Sequence, residues 1–206
     1  MKNRLLIVFI LFTAFMFSCR DDWEYVESQV LCFATAYTDS NGHIEVLKDD
    51  MGNEYMVYDD KWELERNSAF RVICTFTLSD KNVATIHNMF LPLTSNAVDE
   101  ELIPVSQRTK DPIDIRSAYI GSGYMNLVLD IKVRNEKSQH SLLPVCIKSD
   151  SLLFTIYHDA GGETGVYTKT AYLCIPLADY GLCRNDTVFL KCNGYEEDCE
   201  MSLIYR

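Results

Sequence analysis

A chain of 206 residues with 48% apolar content can bury real cores and is too rich in them to be a disordered tail. Its 30 acidic residues outnumber the 19 basic ones, for a net charge of −11. That excess argues against nucleic acid as a partner, because phosphate binding needs a clustered basic surface, and against electrostatic attachment to anionic lipid.

The first predicted element is a secretory signal. Lys2 and Arg4 give a positive start, Leu5 to Phe17 is an apolar run interrupted only by Thr13, and Ser18-Cys19 closes it. The run is too short to span a bilayer, which takes about 20 apolar residues. Cys19 stands where a lipoprotein signal peptidase leaves the new N-terminus, so residues 1–18 read as the signal peptide and Cys19 as the lipidated residue. An ordinary signal peptide cut near Ser18, or an uncleaved anchor, are the alternatives; Phe17 is bulkier than the box before a lipidated cysteine usually allows. Acyl chains on one cysteine would be enough for stable anchoring. Loss of residues 1–18 removes Lys2 and Arg4 and no acid, which takes the net charge from −11 to −13. Arg20-Asp21-Asp22 resembles the acidic export signal of surface lipoproteins in the Bacteroides group. The expected partner at this end is therefore the membrane, reached through the lipid, in the outer membrane and with the cell surface as one face. Residues 19–29 read as a tether.

Strands follow almost without exception. Val30 to Thr38 is rich in β-formers and ends on Asp39-Ser40-Asn41-Gly42, a turn signal. His43 to Leu47 and Glu54 to Tyr58 look like a hairpin. Phe70 to Leu78 alternates, with Phe70, Val72, Cys74, Phe76 and Leu78 on one face and Ile73 the exception on the other. Val83 to Leu91 makes about five strands, the number of a small OB-like Greek-key barrel, over residues 30–95. Residues 96–112, with acids and prolines, read as the crossing to a second domain.

Residues 113–206 read as that second domain. Tyr124 to Val133 puts Leu127, Leu129, Ile131 and Val133 on one face, with Val128 out of place among polar residues on the other. Strands are also expected over 114–119, 142–148, 152–158, 167–175, 187–192 and 201–205. About seven short strands with regular turns predict a two-sheet sandwich of immunoglobulin-like kind, although no Cys-Trp-Cys spacing is present. The fold class is thus all-β: an OB-like barrel, then a β-sandwich.

Several motifs in this order resemble one family. They are the cysteine followed by acids, the return at Asn53-Glu54-Tyr55, and the strand ending on Ser79-Asp80. Ile115-Arg116-Ser117-Ala118-Tyr119-Ile120-Gly121 leads into Tyr124-Met125-Asn126-Leu127, and Tyr172-Leu173-Cys174-Ile175-Pro176-Leu177 completes the set. Together they are similar to the NigD-like lipoproteins. The resemblance implies an N-terminal OB-like domain, a C-terminal β-sandwich and an association with a bacteriocin locus. It implies no enzymatic activity.

Candidate chemistry is sparse. His158 and Asp159 with Glu163 could be drawn as metal ligands, but they fall on a glycine-rich loop, and metal ligands need rigid neighbours. No metal and no cofactor are expected. No Gly-x-Ser-x-Gly elbow or His-Glu-x-x-His motif occurs, so no catalytic residue is assigned. Seven cysteines follow Cys19 and cannot all pair. Cys74 reads as a small buried hydrophobe. Cys192 and Cys199 flank the polar turn Asn193 to Asp198 and could face each other, where a disulfide is one option for an exported chain. Tyr37, Tyr55, Tyr58, Trp62 and Phe76 are candidate ligand-binding aromatics, by analogy with the oligosaccharide face of OB folds; strand aromatics also serve as core packing.

The functional expectation is a cell-envelope lipoprotein acting as a non-enzymatic binding module for a protein or glycan. An envelope hydrolase is one alternative and a bacteriocin-immunity role another. A binding module calls for an exposed apolar or aromatic patch, and an enzyme for ionisable groups converging in a pocket.

Overall fold

The computed structural model describes residues 30–58, 61–79, 81–148 and 152–206. The expected signal peptide, Cys19 and the expected tether to residue 29 lie outside the described residues.

The chain is nearly all β, with an N-terminal barrel and a C-terminal sandwich. Strands β1 (Val30–Thr38), β2 (Ile44–Asp49), β3 (Glu54–Val57), β4 (Ala69–Leu78) and β5 (Val83–Phe90) close the barrel in the order β1-β2-β3-β5-β4. Neighbours are antiparallel except β3 and β5, which run parallel. Two aspartates set its hairpin turns. Asp39 Oδ1 accepts from the backbone N–H groups of Asn41 and His43 at 2.8 and 2.9 Å. Asp49 Oδ1 does the same for Met51 and Asn53 at 2.9 and 2.8 Å. Gly42 takes a left-handed φ of 93°, and a Cβ there would meet the Leu64 carbonyl oxygen at 2.4 Å. The small Ala34 and Ala36 on β1 leave interior room for Leu47, Tyr55 and Phe76.

The sandwich is built from β6 (Leu93–Thr94), β7 (Val98–Asp99), β8 (Asp114–Gly121), β9 (Tyr124–Val133), β10 (Ser141–Lys148), β11 (Leu152–Asp159), β12 (Tyr167–Pro176), β13 (Thr187–Cys192) and β14 (Cys199–Ile204). One sheet has the order β14-β13-β11-β10-β7 and the other β6-β12-β9-β8. Their facing sides bury Leu127, Leu129, Phe154, Leu173, Ile175 and Leu190, among others. The crossing segment is itself part of this domain. Leu93 pairs with Leu173, and Val98 pairs with Val145, each in a parallel register. Ile103 is buried against Val145 and Tyr157. Two-residue strands carry no periodicity, so the sequence pattern does not reveal them.

The two residues that broke the alternation have a common cause. Ile73 is on the outer face of β4 and is nonetheless only 2% exposed. With Phe33 and Cys174 it forms a cluster against which Tyr119, Tyr124, Val128 and Tyr172 pack. The outer face of the barrel at β1 and β4 thus rests on the outer face of the sandwich sheet at β8, β9 and β12.

Candidate functional site

The most highly organised polar cluster lies in this seam. Asp50, in the turn between β2 and β3, meets Arg71 of β4: Nη2 donates to both carboxylate oxygens at 2.5 Å. The Arg71 side chain is fully buried and that of Asp50 is 11% exposed. Both then reach the sandwich. Arg71 Nη2 donates to Asn126 Oδ1 at 2.9 Å, and Asn126 Nδ2 donates to Asp50 Oδ2 at 3.0 Å. The Tyr119 hydroxyl donates to the same Oδ2 at 2.6 Å. Burial, and then the Asp50 carboxylate, push the Tyr119 hydroxyl well above its ordinary pKa, so it remains a donor. The guanidinium lies 4.8 Å from the Tyr124 ring centre and 5.8 Å from that of Phe33. A buried charge pair of this kind persists because its remaining hydrogen-bond positions are filled.

Backbone fit keeps the cluster tight. A Cβ on Gly121 would fall 2.6 Å from the Asp50 Cβ, so glycine is what lets the β2–β3 turn approach β8. Ser122 Oγ adds a hydrogen bond to the Asp49 carbonyl at 2.9 Å. Asp49 is held by its own turn. Burial pushes its carboxyl up, but hydrogen bonds from Asn53, Tyr55 and the Met51 backbone outweigh this and leave it below its ordinary value.

Two clefts open beside the cluster. One, of about 610 Å³, is lined by Lys48, Asp50, Met51, Tyr119, Ser122 and Arg206. The other, of about 480 Å³, is lined by Thr35, Tyr37, Lys48, Tyr124 and Pro176. Lys48 and Ser122 belong to both.

The structure divides the five candidate aromatics. Tyr55 and Phe76 are 8% and 2% exposed and stack on each other with ring centres 5.4 Å apart. They are barrel core and cannot meet a ligand, which corrects the expectation for these two: closing the sheet turns one alternating face wholly inward. Trp62 packs against the same core. Tyr37 and Tyr58 remain on the exterior, 41% and 71% exposed.

His158 lies on β11, within the strand expected over 152–158, and its partner is one the local pattern omits. Its Nδ1 faces the carbonyl oxygens of Pro112 and Asp111 at 2.9 and 3.3 Å, which requires a proton there. Its Nε2 is then free to accept from His140 Nδ1 at 2.9 Å. His140 Nε2 stands 3.5 Å from the Glu163 carboxylate. Burial holds His158 below its ordinary pKa. Asp159 instead caps its own turn, accepting from the Gly161 N–H at 2.8 Å. Among the described residues no group of three or more His, Cys, Asp or Glu side chains is placed to hold a metal ion.

Cys192 and Cys199 stand directly opposite each other on β13 and β14. Cys32 and Cys74 stand in the same relation on β1 and β4, a pairing the sequence reading missed. All four are thiols in this structure.

The profile of the NigD-like C-terminal β-sandwich domain matches residues 96–205. The chain belongs to the NigD-like family. A NigD-like immunity protein from Bacteroides caccae has a similar structure, with a TM-score of 0.71 and 27% identity over 84% of this chain and 92% of that one. A protein described as toxin-related, from Parabacteroides distasonis, matches with a TM-score of 0.71 and 19% identity over 87% of this chain and 94% of that one. One described as a lipoprotein, from Bacteroides fragilis, matches with a TM-score of 0.63 and 11% identity over 87% and 98% of the two chains. The last two likenesses concern the fold alone. No curated protein sequence matches this chain. Within the NigD-like frame, the profile covers the sandwich and the expected barrel stands before it.

Proposed function

We propose that this NigD-like protein is a lipoprotein of the outer membrane, anchored through Cys19, that acts as a non-enzymatic, immunity-type module binding a protein partner. One observation carries the non-enzymatic part: the ionisable groups of the seam are spent on structure. Both oxygens of Asp50 are taken by Arg71, and Oδ2 also by Asn126 and Tyr119. A catalytic acid needs a lone pair or proton left over for substrate. What the cluster does instead is fix two domains as one preorganised surface, which lowers the ordering cost of binding. The likeness to a NigD-like immunity protein supports the choice of a protein partner. The layout of Met1 to Cys19 supports the anchor.

Two experiments test this reading. Metabolic labelling with a palmitate analogue should mark the chain and fail on Cys19→Ala, and surface protease should digest the chain on intact cells. Deletion of the gene should sensitise cells to an antagonistic protein of neighbouring strains, and the wild-type gene should restore resistance. An unlabelled, protease-protected chain would overturn the anchor, and unchanged sensitivity would overturn the immunity role.

A further inference from the structure

Four barrel strands contribute one apolar stripe to the barrel exterior. Tyr37 on β1 stands opposite Val46 on β2, Val46 opposite Met56 on β3, and Met56 opposite Val83 on β5. Tyr58, two residues past Met56, continues the row on the same side, as the period of an extended strand requires. The inward positions between them hold Leu47 and Tyr55 of the core, so the stripe is a second apolar face. Tyr37, Met56 and Tyr58 are 41%, 53% and 71% exposed. A row of exposed apolar side chains joined by the half-buried Val46 marks an interaction surface on a folded chain. It runs into the seam cleft at Tyr37.

Charge selects the occupant. Residues 30–90 carry ten acidic and five basic side chains. Two of the bases are paired with acids, Arg71 with Asp50 and Lys48 with Glu54 at 2.9 Å, which leaves eight acids against three bases. Exposed Glu45 is the extra residue where the β1–β2 register shifts beside Tyr37. A second copy of this acidic chain, an anionic membrane or a nucleic acid would be repelled. A neutral glycan would gain nothing from the field. A basic polypeptide gains both burial of its apolar side chains and steering by the acidic surroundings.

We infer that the stripe from Tyr37 through Val46 and Met56 to Tyr58 is the docking surface for a basic polypeptide segment with apolar side chains. The inference rests on the binding-module reading and gives it a site and a partner class. The probe is a synthetic peptide of alternating lysine and leucine, compared with its glutamate–leucine counterpart and with neutral mannan, on the purified full chain. The lysine peptide should bind and weaken with salt, and the other two should not bind. Changing Tyr37, Met56 and Tyr58 together to Ser should weaken binding at least tenfold. Changing Leu102 and Val105 to Ser should leave it unchanged, although these are 74% and 81% exposed. The single Met56→Lys carries the same expectation as the triple variant and covers its misfolding. If stripe variants bind like wild type, this inference is overturned while the binding-module reading stands. Stripe-dependent capture of mannan instead would overturn the partner class. Absence of any peptide binding, together with unchanged sensitivity of the deletion strain, would overturn both.

Discussion

Arg71 of the barrel and Asn126 of the sandwich meet 2.9 Å apart across the domain boundary, and both also bind Asp50. Three side chains therefore share one buried network that neither domain could satisfy alone. Arg71→Met removes the cation and leaves Asp50 with two of its four hydrogen bonds gone. The expected loss is about 3–5 kcal/mol of unfolding free energy, the usual cost of breaking a buried pair by deleting one partner. Urea denaturation measures it.

Tyr119→Phe tests the same network more gently. The ring stays and only the hydroxyl donor to Asp50 goes, for an expected loss of about 1–3 kcal/mol. Gly121→Ala acts from the other side, because its Cβ would lie 2.6 Å from that of Asp50. It is expected to cost about 1–3 kcal/mol through forced displacement of the turn. Tyr119→Phe in the Arg71→Met background should differ in cost from Tyr119→Phe alone by about 0.5 kcal/mol or more, since residues in one network do not add.

The fold class, a barrel followed by a sandwich, was legible in the sequence because period-two alternation and turn chemistry are local signals. The seam was legible only as two anomalies. Ile73 and Val128 are apolar residues on polar faces; Ile73 is buried and Val128 partly buried where barrel meets sandwich. Read together they point to an interface; read singly they look like noise. Tyr55 and Phe76 misled for the opposite reason, because alternation gives the two faces of a strand and not which one a barrel encloses. His140 escaped notice since its partner His158 is on a neighbouring strand, and β10–β11 pairing alone brings them together.

Stability should fall in mild acid because of His158. Its folded pKa lies below the unfolded value of about 6.5. Between the two values the unfolded chain binds more protons than the folded one, so unfolding is favoured as pH drops below about 6.5. The groups facing His158 are His140, with Glu163 behind it, and the carbonyls of Asp111 and Pro112. His158→Gln should lower stability at neutral pH and flatten its dependence below about pH 6.5. Denaturation midpoints measured across that range check the sign, and a wild-type midpoint that rises on acidification would contradict it.

Mild oxidation of the purified chain should form two cross-strand disulfides, Cys192 with Cys199 and Cys32 with Cys74. Directly opposed strand residues fall within the Cα separation a disulfide requires. With oxidised glutathione as acceptor, each bond releases two thiol hydrogens and yields two reduced glutathione molecules. The longer Cys32–Cys74 loop should stabilise by about 4 kcal/mol and the short one by less. Peptide mapping without reductant should find these two links, with Cys146, Cys174 and Cys183 left as thiols; a link to Cys183 would contradict the assignment.

The proposed role needs barrel and sandwich to behave as one recognition body. Differential scanning calorimetry of the wild-type chain asks this directly. A single transition, with calorimetric and van't Hoff enthalpies equal, is the expected trace, splitting into two on Arg71→Met. Two separate transitions in the wild type would show that the domains melt independently and that the seam does not hold them together.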